Sequence, residues 1–168
     1  MPRIVLTTRI AAPRERVFDL ARSLDLHMRS TAESGERAIG GRTSGLIDLG
    51  ETVTWRARHL GSWHTMTSAI TEFDRPAHFH DSMVAGPFRE LEHDHDFEEA
   101  GSGGTETLMR DTFEFTAPLG PLGWILSQVY LTGYMTRLLL RRNAVIQKAA
   151  ESGEWAEYLP VTGSGRSS

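Results

Sequence analysis

The stretch from Phe79 to Phe97, FHDSMVAGPFRELEHDHDF, decides how this chain is read. Two alternating runs are broken at Ala85-Gly86-Pro87, which predicts two antiparallel strands joined by a tight turn. Side chains alternate along a strand, so Arg89, Leu91, His93, His95 and Phe97 share one side of the second strand, and Glu90, Glu92, Asp94, Asp96 and Glu98 share the other. The acidic set belongs in water. Leu91 and Phe97 belong against a core, and they carry His93 and His95 inward with them. In the first strand Phe79, Asp81 and Met83 share a face, so Asp81 turns inward as well.

Ala100–Gly104 (AGSGG) reads as the next turn, and the following run to Thr116 alternates again. Met109, Asp111, Phe113 and Phe115 share its inner face. Closing this hairpin around Ser102 sets His95 near Met109 and His93 near Asp111, within side-chain reach. Asp81, His93, His95 and Asp111 are therefore expected together on the inside.

Outward from this centre, Arg3–Ile10 alternates as a first strand. Pro13 suits the first turn of a helix carrying Val17, Phe18, Leu20 and Ala21, and Ser23 is placed to cap a second short helix through Leu24, Leu26 and Met28. His27 on that helix reads as an ordinary surface or packing histidine. Glu36–Gly40 begins a series of strands punctuated by glycines. Trp55 and Ala57 face inward in one of them, drawing Glu51 and His59 with them at its ends. In the run Trp63–Phe73, Met66 and Ile70 are favoured for the inside. Beyond Pro118–Gly123, Trp124–Ala150 reads as one long helix. Its broad apolar band includes Leu122, Ile125, Leu126, Val129, Tyr130, Leu138, Leu139 and Ile146, and Arg137, Arg141, Arg142 and Lys148 gather toward its C-terminal end. Residues 1–152 read as a single domain and 153–168 as a mostly flexible polar tail.

This order predicts an α+β fold. A strongly curved antiparallel sheet of about six to seven strands wraps around a long C-terminal helix, with two short helices after the first strand. At 168 residues the chain can bury a core or enclose a cavity. A net charge of -4 without a basic stripe argues against a nucleic-acid partner. The absence of cysteine excludes disulfides and thiolate chemistry. No apolar run approaches the ~20 residues that span a bilayer, so a cytoplasmic protein without membrane insertion is expected, as a monomer or homodimer. No phosphate-binding loop or nucleophile elbow is present.

Three segments carry a family resemblance: GLIDLGETVTWRARHLG (Gly45–Gly61), DSMVAGPFRELEHDHDF (Asp81–Phe97) and DTFEFTAPLGPLG (Asp111–Gly123). With the element order, they resemble the helix-grip superfamily that includes START lipid-transfer domains, birch-pollen-allergen-like proteins and bacterial polyketide cyclases, together the SRPBCC proteins. The resemblance runs from about Arg3 to Ala150 and implies a helix-grip fold with a ligand-binding or cyclase/dehydrase-like role. It supplies no catalytic set, and fold alone does not fix function.

The leading expectation is a small hydrophobic or amphipathic ligand in a cavity between sheet and helix. Trp55, Phe79, Met83 and Leu91, with Phe97, Met109, Phe113 and Phe115, would form its apolar wall, and Asp81, His93, His95 and Asp111 its polar end. The alternatives stay open. These four could satisfy one another as a buried structural network. They could also serve a cyclase, aromatase or dehydratase without a cofactor, in which His93 moves the proton, Asp111 or Asp81 orients it and His95 binds a substrate oxygen. His93-x-His95 with a carboxylate could supply three metal ligands, but spacing alone assigns no metal. The polar outer faces argue against a pure protein-interaction module.

Overall fold

The computed structural model describes residues 1–117, 120 and 127–160. The chain runs β1 (Arg3–Ile10), α1 (Arg14–Ala21), α2 (Leu24–Ser30), β2 (Arg37–Gly41), β3 (Thr52–His59), β4 (Ser62–Asp74), β5 (His78–Ala85), β6 (Glu90–Ala100), β7 (Glu106–Thr116), α3 (Thr132–Glu151) and α4 (Trp155–Tyr158). Pro13 sits immediately before α1, and the Ser23 hydroxyl accepts from the Leu26 N–H to cap α2. Both starts were legible because each depends on one residue next to the first helical turn.

The strands form one antiparallel sheet in the order β1-β7-β6-β5-β4-β3-β2. Six strands follow one another as a meander, and β1 returns to the free side of β7. Register shifts between Ala38 and Gly40 and within the β4–β5 ladder are the bulges that bend such a sheet. Gly41, at φ +66°, ends β2 so close to β3 that an added Cβ would lie 2.2 Å from the Thr52 carbonyl oxygen.

Period-two burial runs through the central strands. In β6 the inner residues Leu91, His93, His95 and Phe97 are all buried, and in β7 so are Met109, Asp111, Phe113 and Phe115. In β4, Met66 and Ile70 take the inner side and Trp63 is 56% exposed. The hairpin register differs from expectation by two residues: His95 pairs with Asp111, His93 with Phe113 and Phe97 with Met109. The AGSGG turn contributes Ala100 to β6 and closes over Gly101–Thr105. A two-residue slip preserves which face each side chain occupies, so the inward set was correct although its pairing was not. Arg89 lies outside β6 and is exposed, because the strand begins one residue later.

The core has two parts. Phe18 on α1 meets Phe73, Phe79 and Phe97 edge-on, with ring centroids 5.2–5.4 Å apart. Ile4, Leu91, Phe113 and Phe115 pack with Leu139 of α3. The long helix is not uniform, since Ser127–Leu131 forms a π-helical turn before α3 begins. Val129 and Tyr130 are exposed rather than part of the apolar band, because the wider turn shifts the phase of the residues ahead of α3. Leu122, Ile125 and Leu126, placed in the same band by the sequence, and Trp124, expected to start the helix, lie outside the described residues. After α3 the chain makes another helical turn, α4, where a polar tail was expected. Trp155 packs against the core and stacks under Arg16, whose guanidinium carbon is 4.4 Å from the ring centre. Residues 161–168 of that tail lie outside the described residues. Among the described residues no helix is long and apolar enough to cross a membrane.

Candidate functional site

Three adjacent strands, β5, β6 and β7, bring Asp81, the two histidines and Asp111 side by side on the inner face of the sheet. Asp111 is fully buried at the back of the group. Its Oδ1 accepts from Nε2 of His93 at 3.0 Å and from Arg142 of α3 at 3.2 Å, and its Oδ2 accepts from the Asn143 amide at 2.7 Å. His95 reaches Asp81 Oδ2 with Nε2 at 3.1 Å. Its Nδ1 lies 3.0 Å from Asp111 Oδ1, off the line of a hydrogen bond and with no other partner among the described residues. The two imidazoles are 3.8 Å apart, and Phe79 stacks on His95 at 4.1 Å.

The electrostatics follow from burial and from these partners. Desolvation, then the neighbouring His95, push His93 down from 6.5 to about 4, so its ring is neutral at physiological pH. Burial alone would raise Asp111, but the His93 hydrogen bond, the neighbouring His95 and the Arg142 charge hold it well below the usual carboxylate range. Asp81 follows the same pattern: burial opposes ionisation, and His95, His93 and Arg142 outweigh it. Arg142 is 7% exposed and also donates to the Ala21 carbonyl at 3.1 Å. Sequence reading placed this arginine among cations complementing the helix end, whereas it points inward and neutralises Asp111.

In front of the group lies a cavity of about 340 Å³ between the sheet, α2 and α3. Trp55, Phe79, Leu91 and Phe113 line it, as do Asp81, His93 and His95. Five residues expected on the lining are not there. Phe97 and Met109 are sealed in the core alongside Phe18, because the α1 end of the sheet is covered by helix. Asp111 is screened from the space by the histidines, and Met83 packs in the smaller core cluster. Phe115, also expected on the wall, is buried in the same cluster. Alternation reports the side of a sheet that a residue faces, and not whether a helix or a void lies over it.

A second polar group lies on the same cavity, and of its members the sequence placed His59 inward but not its partners. Glu36 is buried and receives Nε2 of His27 at 3.1 Å, and the His27 ring lies over Trp55 at 4.5 Å. Burial would raise Glu36, but the His27 charge and hydrogen bond bring it below its ordinary value. His59 pairs through Nδ1 with the Tyr134 hydroxyl at 2.7 Å, and burial lowers its pKa. Glu51 instead lies off the cavity lining and before β3, bound to Arg42 at 2.8 Å. Leu60 both lines the cavity and is 53% exposed, which marks the side where the space meets solvent. These residues come from α2, the start of β2, β3 and α3, so no local pattern connects them.

The outer face of β6 is not simply solvated. His80 lies between Asp94 at 2.8 Å and Glu92 at 2.7 Å, His78 pairs with Asp96 at 2.8 Å, and Ser82 donates to Glu92.

A seven-stranded antiparallel sheet closed by a C-terminal helix over a lined cavity defines a helix-grip protein. A family model described as "Polyketide cyclase / dehydrase and lipid transport" matches residues 1–147, and the chain belongs to that family. Solved structures share the fold at low identity. An aromatase/cyclase from a Streptomyces species aligns with TM-score 0.69 and 14% identity, covering 89% of this chain and 93% of its own. A protein from Thermus thermophilus aligns with TM-score 0.68 and 18% identity over 89% and 99% of the two chains. A START superfamily protein from Mycobacterium smegmatis gives TM-score 0.64 and 12% identity over 89% and 97%. No curated protein sequence matches the chain.

Proposed function

We propose that this protein binds a small amphipathic molecule, apolar along most of its length, in the cavity between the sheet, α2 and α3. The observation that carries this is the cavity itself: about 340 Å³ and mostly apolar, with Asp81, His93 and His95 at one place on its wall and His27, Glu36 and His59 at another. That volume lies toward the small end of ligand sites, which run about 300–1,000 Å³ with a few polar groups fixing orientation. Trp55, Phe79, Leu91 and Phe113 contact the apolar body. Asp81, His93 and His95 orient one polar end, and the Glu36–His27 and His59–Tyr134 pairs can meet a second. Membership of a cyclase/dehydrase and lipid-transport family supports the reading.

Ala57 is buried on β3 and lines the same space, so Ala57→Phe fills part of it while keeping every polar side chain of the lining. Titration with an environment-sensitive apolar dye, beside native mass spectra of protein purified from its own host, is the test. The wild type is expected to bind dye and to retain a small molecule, and a folded Ala57→Phe to do neither. Unchanged dye binding in that variant refutes the cavity as the site.

One observation favours a second reading, an enzyme of cyclase, aromatase or dehydratase type. His95 pairs with a carboxylate at the cavity surface beside a histidine that is neutral at pH 7, an arrangement able to accept and return a proton. Incubation with a linear poly-keto thioester, with products followed by mass spectrometry, separates it from simple binding. Turnover abolished by His95→Gln is expected if the chemistry is present, and no product over hours excludes it for that substrate class.

A further inference from the structure

We infer that Asp81, His93 and His95 form a binding site for one divalent transition-metal ion, with its open coordination position facing the cavity. Donor atoms of these three side chains all lie within 4.8 Å of one another, and all three residues line the same space. Asp81 Oδ2 is 3.1 Å from Nε2 of His95 and 3.9 Å from Nδ1 of His93. Two donors each about 2.1 Å from a tetrahedral ion stand roughly 3.4 Å apart, between those two distances. Adjacent strands hold all three side chains, so small side-chain rotations suffice to converge them.

The groups behind the site point the same way. Ligating histidines usually give their far nitrogen to a carboxylate, which fixes the tautomer and turns the near nitrogen toward the metal. Asp111 does this for His93, 3.0 Å from its Nε2, and stands 3.0 Å from Nδ1 of His95, where a small ring rotation would complete the same contact. It is held in place by Arg142 and Asn143. His95 faces a carboxylate oxygen at both ring nitrogens, 3.1 Å from Asp81 and 3.0 Å from Asp111. An ion shared by Nε2 and Asp81, with the proton on Nδ1, makes both contacts favourable.

Two histidines and one carboxylate suit zinc, and three protein donors leave the fourth tetrahedral position for an oxygen of a bound molecule. Only the identity of that occupant, the polar end of a cavity ligand, rests on the proposed function; the ion site stands on its own geometry.

The test uses metal alone. Protein stripped with chelator is titrated with Zn²⁺ by calorimetry and with Co²⁺ by visible absorption, without organic ligand. One ion per chain, a raised melting temperature and a tetrahedral-type cobalt spectrum are expected. Asp81→Asn and His95→Gln are each expected to weaken Zn²⁺ at least tenfold, and His80→Ala on the outer face to leave it unchanged. Binding that survives Asp81→Asn and disappears in His80→Ala overturns the assignment in favour of the outer cluster, and no saturable binding overturns it outright. If the inner variants fail to fold, the wild-type cobalt spectrum decides, an octahedral one refuting the site. Dye binding without metal binding would refute this inference and leave the cavity reading intact.

Discussion

Asp111→Asn is the sharpest probe of how the polar floor is held. The change preserves side-chain shape but removes the charge that compensates Arg142, whose guanidinium is 7% exposed and 3.2 Å from Asp111 Oδ1. Removing one partner of a buried ion pair leaves an uncompensated charge and costs about 3–5 kcal/mol. That is a large share of a typical domain stability of about 5–15 kcal/mol. For a chain of this size each kcal/mol lowers Tm by roughly 2–4 °C, so a fall of roughly 6–20 °C is expected. Arg142→Met removes the orphaned cation, so the double variant should be more stable than Asp111→Asn alone, with a coupling energy of about 1–3 kcal/mol in a double-mutant cycle. Urea unfolding of the four proteins, with m-values compared to verify two-state behaviour, gives the numbers. A cost below about 1 kcal/mol for Asp111→Asn, or strict additivity in the cycle, refutes the view that this pair is mutually compensating in a water-poor interior.

Phe18→Ala should cost about 3–5 kcal/mol in the same assay, because the ring is fully buried among three aromatic partners that cannot close the space. Gly41→Ala should destabilise by about 1–3 kcal/mol, through the positive φ and the approach to Thr52; a neutral effect would mean that β2 is free to move away from β3. His80 is partly desolvated, which lowers its pKa, but its hydrogen bonds to Asp94 and Glu92 outweigh this and raise it above 6.5. Its contribution is therefore fully present below 6.5 and is lost as pH rises through the raised folded value. His80→Gln should accordingly be less stable than wild type in mild acid by up to about 1 kcal/mol, with the gap closing in alkali; a gap that widens with pH contradicts the pairing.

The architecture was readable because its signals are local. Ser23 and Pro13 announce helix starts, and the alternation from Leu91 to Phe97 fixes a face regardless of partner. The pairing of β6 with β7 was not readable, since AGSGG can close in more than one register and a two-residue slip leaves every side chain on the same face. The inward turn of Asp81, His93, His95 and Asp111 came from the same period of two. What held Asp111 did not: Arg142 and Asn143 lie on a helix rich in arginines, where only the rotation about the axis separates the buried one from its exposed neighbours. The Glu36, His27, His59 and Tyr134 group is assembled from four distant segments, and nothing in the spacing of any one of them signals the others. Phe97 and Met109 face the interior as expected but lie where α1 fills it.

The return of β1 to β7 has a consequence for how the chain reaches this state. The strands β2 to β7 pair with sequence neighbours, whereas Arg3 must find Glu114 and Ile10 must find Thr107 across most of the molecule. Loop closure over such a distance delays pairing relative to the meander. In that interval β7 is an open edge bearing Phe113 and Phe115, with unpaired backbone groups free to accept a strand from another molecule. Weakening β1 should therefore appear first as concentration-dependent aggregation during refolding, and only afterwards as lost stability of the finished protein.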